Sequence, residues 1–252
     1  MTLLNSAPDY YDRAGICDHI MDGYMAGTFA RFNNPKEQVS SHFGVSRTGE
    51  VVQYVEMNRW AYTNGYLESG YDKSIPWLVD CERRGINPNR RTITIEHEGL
   101  KGEGLTEPQY KATLELHKYV IQVWPTIMPT RKQIVGHSQI SPESRPFCPG
   151  VAFPFDRLIK DLVGDMMDGS RVIVPGNFPV RDEFVKFWYD RGGLPIFGYP
   201  VGKEQPANGN YGKAAVIQYF ERARFELQPD GSVMLGLVGV EAAKYRGMVN
   251  TL

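Results

Sequence analysis

The sequence has little cysteine, no long apolar run and almost no net charge. Three cysteines among 252 residues are too few for a small scaffold held by disulfides, so we expect free, buried thiols, although one Cys17–Cys81 bridge remains possible. No apolar run approaches the roughly 18 residues of a transmembrane helix, and the formal net charge is -1. Composition therefore gives no reason to expect a nucleic-acid or membrane partner.

The remaining composition is that of an ordinary globular protein, with 42% hydrophobic and 23% charged residues. β-rich runs predict strands over residues 14–20, 39–46, 51–55, 92–96 and 133–137. A helix is predicted to start at Thr106, because Thr106 and Gln109 have capping-box spacing, and to stop at Pro125. Strands separated by helices in this order predict an α/β fold with a mixed central β-sheet flanked by helices.

Composition changes after residue 165. Residues 164–180 contain three glycines and two prolines without a sustained period, which predicts a linker over 166–178. It would join a first domain, residues 1–165, to a small β-rich C-terminal domain, residues 179–252. In this second domain we predict a short helix over 181–191 and a hairpin at Pro229-Asp230-Gly231.

Histidine and cysteine spacing suggests a metal site. A hydrolytic zinc site needs three protein ligands and one open position, and imidazole nitrogen and thiolate sulfur suit this ion. His137 ends an apolar strand, and Cys148 follows 11 residues later before Pro149, so a returning loop could place both on one ion. By spacing alone, a structural histidine and a buried cysteine explain the pair better than a metal site does.

The other histidines differ in context. His19 is the natural third ligand, because Cys17 and His19 share one face of the first strand, and Cys17 could compete as a ligand or fill space behind the metal. His117 lies on the apolar stripe of the Thr106 helix and is read as a core residue. His42 is either a substrate-contacting or second-layer residue or a structural one.

Glu96 ends an otherwise uncharged strand, beside a site that would need a proton acceptor. Hydrolysis by a zinc-activated water benefits from a carboxylate that accepts the water proton and passes it to the leaving amine. Glu98 lies on the same strand face, so periodicity does not choose between the two glutamates, and a strand-end salt bridge also explains Glu96. His97 points to the opposite face.

Four stretches together resemble the type 2 N-acetylmuramoyl-L-alanine amidase family, which includes phage endolysins, autolysins and peptidoglycan recognition proteins. They are Ile16–Gly23, Val39–Val45, Thr94–Gly99, and Gly136–Ser138 through Cys148–Gly150, in the family's order over about residues 10–165. The resemblance implies a mixed sheet with one zinc in a substrate groove. It also implies His19, rather than His42, as first ligand, with His137 and Cys148 as the others.

The resemblance further implies Glu96 as the catalytic base. Some phage members use a tyrosine at the position of Ser41 and a lysine at that of Pro146, and their replacement here favours Glu96. Arg145, the nearest cation, and His42 are the two candidate oxyanion stabilisers. The family's Trp-His pair after the hairpin is replaced by Ala61-Tyr62-Thr63-Asn64-Gly65, and we expect Tyr62, Asn64 and His42 to contact substrate.

The expected function is therefore zinc-dependent hydrolysis of the bond between N-acetylmuramic acid and L-alanine in peptidoglycan. The alternatives are a peptidoglycan-binding protein without hydrolysis and a zinc peptidase cutting stem peptides. A monomer is favoured. Residues 1–13 have no basic start and no apolar segment, so an enzyme acting at the bacterial cell wall would be released by phage lysis or have lost its signal.

The C-terminal stretches Gly193–Pro200 and Gln218–Glu226 are similar to aromatic Gly-Pro repeats of bacterial cell-surface proteins. Aromatic faces suit stacking on sugars, which makes a cell-wall-binding module a reasonable expectation. The same aromatic residues could equally form the core of a small domain.

Overall fold

The computed structural model describes residues 5–8, 11–167, 178, 180–191 and 193–248. The chain divides into two compact units, Met1–Leu162 and Val163–Leu252. Residues 168–177 of the predicted linker lie outside the described residues, so the domain boundaries at 165 and 179 stay predictions. None of the described helices is long and apolar enough to cross a membrane.

The first unit mixes strands and helices. In chain order its elements are β1 (Ser6–Pro8), β2 (Gly15–Ile20), α1 (Met25–Phe32), β3 (Phe43–Val45), β4 (Val51–Gln53), β5 (Arg59–Ala61), α2 (Pro76–Arg84), β6 (Thr92–His97), α3 (Glu107–Val123), β7 (Ile134–Gly136) and α4 (Phe155–Met167), which crosses the division between the units. Five strands form one sheet in the order β4-β3-β6-β2-β7, and β1 pairs with β5 separately. The predicted α/β fold with a mixed central sheet is confirmed.

The central strands of this sheet are parallel. β2 lies between β6 and β7, β3 lies on the other side of β6, and only β4 runs antiparallel at the edge. Ile16, Ile93, Ile95 and Ile134 have no exposed surface, as expected for parallel strands covered on both faces. Because parallel strands end at one edge of a sheet, residues after β2, β6 and β7 meet there.

Helix α3 begins as predicted, with one difference at its cap. The Thr106 hydroxyl accepts a hydrogen bond from the Gln109 N–H, but the Gln109 side chain donates to the carbonyls of Val45 and Glu98 instead of completing a capping box. Gln109 therefore ties the start of α3 to β3 and to the residue after β6.

Two helices of the first unit, α1 and α2, have weak sequence signals. α1 and α2 begin after Tyr24 and Ile75, neither of which caps the helix with its side chain, and α1 contains Gly27. The clearest signal is Gly85, which adopts a left-handed conformation with φ of 63° immediately after α2, a conformation that glycine adopts without strain.

The second unit is a small antiparallel sheet with short helices. Its elements are α5 (Asp182–Asp190), α6 (Gly193–Phe197), β8 (Gln205–Pro206), β9 (Val216–Tyr219), β10 (Arg224–Leu227), β11 (Val233–Leu235) and α7 (Val238–Tyr245). The strand order is β11-β10-β9-β8. The predicted helix over 181–191 and the hairpin at 229–231 are confirmed, and β9 and β10 form a further hairpin.

Aromatic side chains fill the interior of the second unit. Phe184, Trp188, Phe197, Phe220 and Phe225 are all buried, and Phe220 and Phe225 have ring centroids 4.2 Å apart. These rings are the core of the unit, which favours the core interpretation of the aromatic sequence over an exposed sugar-stacking face.

Candidate metal centre

Three side chains from one edge of the sheet converge on a point. His19 lies near the end of β2, His137 directly follows β7, and Cys148 lies in the loop beyond it. Their candidate ligand atoms all lie within 4.8 Å of one another, and both histidines are buried. The structure thus brings together the three residues that the sequence predicted as ligands.

Cys148 reaches the centre because its loop folds back onto β7. The Ser138 N–H donates a hydrogen bond of 2.8 Å to the carbonyl of Cys148, and the Cys148–Pro149 peptide bond is cis. A Cβ on Gly136 would lie 2.7 Å from Pro149 Cδ and 3.3 Å from the Cys148 carbonyl oxygen. Glycine at position 136 is therefore needed for the close approach of the returning chain.

The protonation states of the histidines suit metal binding. Burial lowers the pKa of His19 well below its usual value and lowers that of His137 to about 4, so both imidazoles are neutral at ordinary pH. Burial, followed by the nearby Glu96 charge, raises the pKa of Cys148 to about 12. A cation at this position would favour its thiolate. Two imidazoles and one thiolate match a zinc site with one open position.

Glu96 stands beside these ligands. It is the parallel partner of His19 in the register of β2 and β6, and its Oε1 lies 4.0 Å from His19 Nδ1. Its Oε2 is buried without a hydrogen-bond partner among the residues that the structure describes. Burial raises the pKa of Glu96 to about 7, against the opposing charges of Arg31 and Arg145. A carboxylate in this state can exchange a proton near neutral pH.

The Glu98 carboxylate, unlike that of Glu96, binds main-chain groups of neighbouring segments. Its two carboxylate oxygens accept hydrogen bonds from the main-chain N–H groups of Met25 and Arg47, at 3.0 and 2.8 Å. The carboxylate fastens the start of α1 and the turn after β3 to the end of β6. These bonds distinguish the two glutamates that strand periodicity left equivalent.

Two arginines act on the centre. Burial dominates the pKa of His19, Glu96, His137 and Cys148, and the positive charge of Arg145 contributes to all four. The Arg145 side chain is exposed. Arg31, from α1, also acts on Glu96. Sequence reasoning missed Arg31, because nothing in the pattern of α1 places it near β6.

Tyr54 is a second neighbour of Glu96 that the sequence did not indicate. Its ring covers Gly44, where a Cβ would lie 2.8 Å from the ring, and Gly44 is the register partner of Glu96. Burial, then the Glu96 charge, raises the pKa of Tyr54 to about 12. The phenol is therefore protonated and closes one side of the surroundings of Glu96.

His42 has surroundings that favour its structural interpretation. The Thr94 N–H donates to His42 Nδ1 at 3.0 Å, so Nε2 carries the proton and donates to the Arg59 carbonyl at 2.9 Å. The side chain has no exposed surface. Both ring nitrogens are occupied inside the protein, which revises the substrate contact expected for His42.

Asn64 and Tyr62 also differ from expectation. Asn64 is 1% exposed; its Oδ1 lies 2.9 Å from His19 Nε2, and its main-chain oxygen lies 3.0 Å from His137 Nε2. It therefore lies behind the ligands, which revises its predicted substrate contact. Tyr62 packs edge to face on Trp60, with centroids 5.1 Å apart, and its substrate contact stays a prediction.

The remaining histidines lie on the other face of the sheet. His117 Nε2 is 3.2 Å from the buried Asp18 carboxylate, and His97 Nδ1 donates to the main-chain oxygen of His19 at 2.9 Å. His117 is a buried residue of α3, as predicted. Cys17 and Cys81 are free thiols in one core cluster, so the open disulfide alternative is not realised.

Several known proteins similar to this chain are amidases. The N-acetylmuramoyl-L-alanine amidase family matches residues 13–151. The chain is 32% identical over 126 residues to the 1,6-anhydro-N-acetylmuramyl-L-alanine amidase AmpD of Haemophilus influenzae, covering 50% of this chain and 59% of that protein. It is 31% identical over 121 residues to AmpD of Escherichia coli, covering 48% and 56%. The chain thus spans less than two thirds of these relatives.

Among solved structures, a selenomethionine derivative of AmpD is 21% identical with a TM-score of 0.46, covering 62% of this chain and 92% of that one. The family match covers more than half of the chain, and it includes His19, Glu96, His137 and Cys148. The chain therefore belongs to the N-acetylmuramoyl-L-alanine amidase family.

Proposed function

We propose that this protein hydrolyses the amide bond between the lactyl group of N-acetylmuramic acid and L-alanine, with one zinc ion held by His19, His137 and Cys148. The observation that carries the proposal is the convergence of three ligand atoms within 4.8 Å, with the Glu96 carboxylate 4.0 Å from His19 Nδ1. The names of the curated relatives indicate the same bond.

The residues divide the work as follows. Bound zinc would polarise the scissile carbonyl and lower the pKa of a coordinated water toward neutral. Glu96 accepts the proton of the attacking water and delivers it to the nitrogen of L-alanine as the amide bond breaks. Burial raises the pKa of Glu96, which favours its taking up the proton, and the group gives the proton up again within the same cycle.

Arg145 supplies positive charge at the mouth of the centre. The guanidinium is exposed, while its charge acts on all three ligands and on Glu96. In this proposal it stabilises the oxyanion of the tetrahedral intermediate.

The substrate is peptidoglycan or a fragment of it, and the site of action is the bacterial cell wall or the material released from it. The names of the relatives specify a muramyl sugar in the 1,6-anhydro form. This form would be the substrate if the protein acts on released fragments, whereas the unmodified sugar would be the substrate in the intact wall. Parallel assays on purified sacculi and on anhydromuramyl peptides would separate the two substrates, through the ratio of their kcat/KM values.

The decisive experiment uses Glu96→Gln and mass spectrometry of digested peptidoglycan. The zinc-loaded wild type releases intact stem peptides and leaves intact glycan. Glu96→Gln retains zinc and loses about 10²–10⁴-fold in kcat, the typical contribution of a general acid–base group. Glu98→Gln, a matched control two residues along the chain, lowers stability but keeps the rate within about tenfold, because the hydrogen bonds of the Glu98 carboxylate to described residues come from main-chain N–H groups.

Three results would contradict the proposal in different ways. Full activity of zinc-loaded Glu96→Gln removes Glu96 from the reaction. Peptides cut within the stem identify a zinc peptidase. A wild-type protein that binds peptidoglycan and zinc without releasing any product is a recognition protein.

A further inference from the structure

Asn64 contacts both candidate histidine ligands with two different oxygen atoms. Its side-chain Oδ1 lies 2.9 Å from Nε2 of His19, and its main-chain oxygen lies 3.0 Å from Nε2 of His137. The two histidines are separated by 118 residues in the sequence, yet one residue from the loop after β5 touches the outer nitrogen of each ring.

The orientation of the Asn64 amide follows from its other contacts. Its Nδ2 donates to Thr92 Oγ1 at 2.8 Å, and the Thr92 hydroxyl in turn donates to the Pro88 carbonyl at 3.1 Å. Because the Thr92 hydroxyl uses its only proton on Pro88, it must accept from Asn64. The amide nitrogen therefore faces Thr92, and the amide oxygen faces His19.

Both acceptors fix the position of a proton. An amide oxygen and a main-chain carbonyl only accept hydrogen bonds, so each histidine must carry its proton on Nε2. A neutral imidazole has one proton, which leaves the Nδ1 lone pair of each ring free. Nδ1 of His19 lies 3.8 Å from Cys148 Sγ and 4.0 Å from Glu96 Oε1, so the unprotonated nitrogen faces the centre.

From this geometry we infer that Asn64 is a positioning residue for zinc, which fixes the tautomer and ring orientation of His19 and His137 so that both bind the ion through Nδ1. The inference rests on the zinc site of the proposed function. Ligating histidines generally donate their second N–H to an oxygen acceptor, and loss of this acceptor weakens metal binding.

Asn64 is itself held by hydrogen bonds that involve only protein groups. Oδ1 of Asn89 accepts from the main-chain N–H groups of Asn64 and Thr63, at 2.7 and 3.1 Å. The Ser141 hydroxyl contacts the Asn64 carbonyl at 3.3 Å. These contacts keep both acceptor oxygens in place. A substitution of the Asn64 side chain therefore removes the acceptor of His19 but leaves the main-chain acceptor of His137, so the two effects can be measured separately.

The first test measures zinc affinity by competition with a chromophoric chelator. Asn64→Ala is expected to bind zinc about 10–100-fold more weakly than the wild type. Asn64→Asp keeps an oxygen opposite His19 and recovers most of the affinity. Ser41→Ala is the matched control, because Ser41 is a buried hydroxyl bonded to Thr94 and Phe43; it lowers stability and leaves zinc affinity unchanged.

The second test observes the histidines in metal-free protein by long-range ¹H–¹⁵N correlation of ¹⁵N-histidine-labelled samples. In the wild type, His19 and His137 show the Nε2–H tautomer. In Asn64→Ala, His19 loses this single tautomer while His137 keeps it. If Asn64 had a purely structural role, the substitution would change the tautomers of both histidines or of neither.

Unchanged zinc affinity in Asn64→Ala, or an Nδ1–H tautomer of His19 in the metal-free wild type, would overturn the inference. So would a wild type that binds no zinc, which would also remove the metal from the proposed function. A protein that binds zinc with the expected tautomers but cleaves no amide refutes only the proposed reaction.

Discussion

Gly136→Ala tests how the Cys148 loop is built. The added Cβ would lie 2.7 Å from Pro149 Cδ and 3.3 Å from the Cys148 carbonyl oxygen, and both are parts of a stiff ring or the main chain. Restoring ordinary contact requires a shift of about 0.7 Å at the proline. Overpacking of this kind costs about 1–3 kcal/mol of stability. The shift also moves Cys148 Sγ, so zinc affinity should fall at least about tenfold, since ligand distances are held within about 0.2 Å.

Urea unfolding of the metal-free protein measures the first effect, and a chelator competition titration measures the second. Gly27→Ala is the matched control, because Gly27 lies in α1 with nothing within 4 Å of its added Cβ. It should raise stability by up to about 1 kcal/mol and leave zinc affinity unchanged. If Gly136→Ala were as stable as the wild type and bound zinc equally tightly, the tight approach of Gly136 to Pro149 would not be what holds the loop.

Two further predictions concern the scaffold around the centre. Burial, then the Arg13 charge, lowers the pKa of His42 to about 3, so the folded state resists a proton that the unfolded state takes up below about pH 6.5. The free energy of unfolding therefore decreases as pH falls from about 6.5 toward 3. Between pH 7.5 and 5.0, the free energy of unfolding measured in urea should fall by about 2 kcal/mol more in the wild type than in His42→Gln. Equal losses would show that His42 is not held neutral. Thr106→Ala removes the cap on the Gln109 N–H and should lower the free energy of unfolding by about 1 kcal/mol without changing the urea m-value, and an unchanged midpoint would contradict the capping role.

Two of the three candidate ligands were predictable because each lies at a recognisable strand. β2 and β7 are short apolar runs, and His19 and His137 stand at their ends. Cys148 required the family resemblance, since a ten-residue loop has many possible paths. The mixed sheet followed from the same alternation of strand and helix signals.

The supporting residues were not predictable, because their partners are distant in sequence. Asn64 contacts His19 and His137 from 45 and 73 residues away, and sequence reasoning assigned it to substrate. Glu96 and Glu98 share one strand face, and only the main-chain groups that bind Glu98 distinguish them. Arg31 lies on a helix whose start has no side-chain cap, so neither the helix nor the arginine had a strong signal.

The pairing of His19 with Glu96 across β2 and β6 fixes the distance between these two residues. Neighbouring strands lie about 4.8 Å apart wherever main-chain hydrogen bonds join them, so the spacing between His19 and Glu96 is set by the backbone. No strand pairing fixes the position of Cys148. Its position depends on a loop and on the lack of a side chain at Gly136. Substitutions elsewhere in the sheet should therefore leave His19 and Glu96 at the same spacing, while substitutions in the loop should displace the Cys148 thiol.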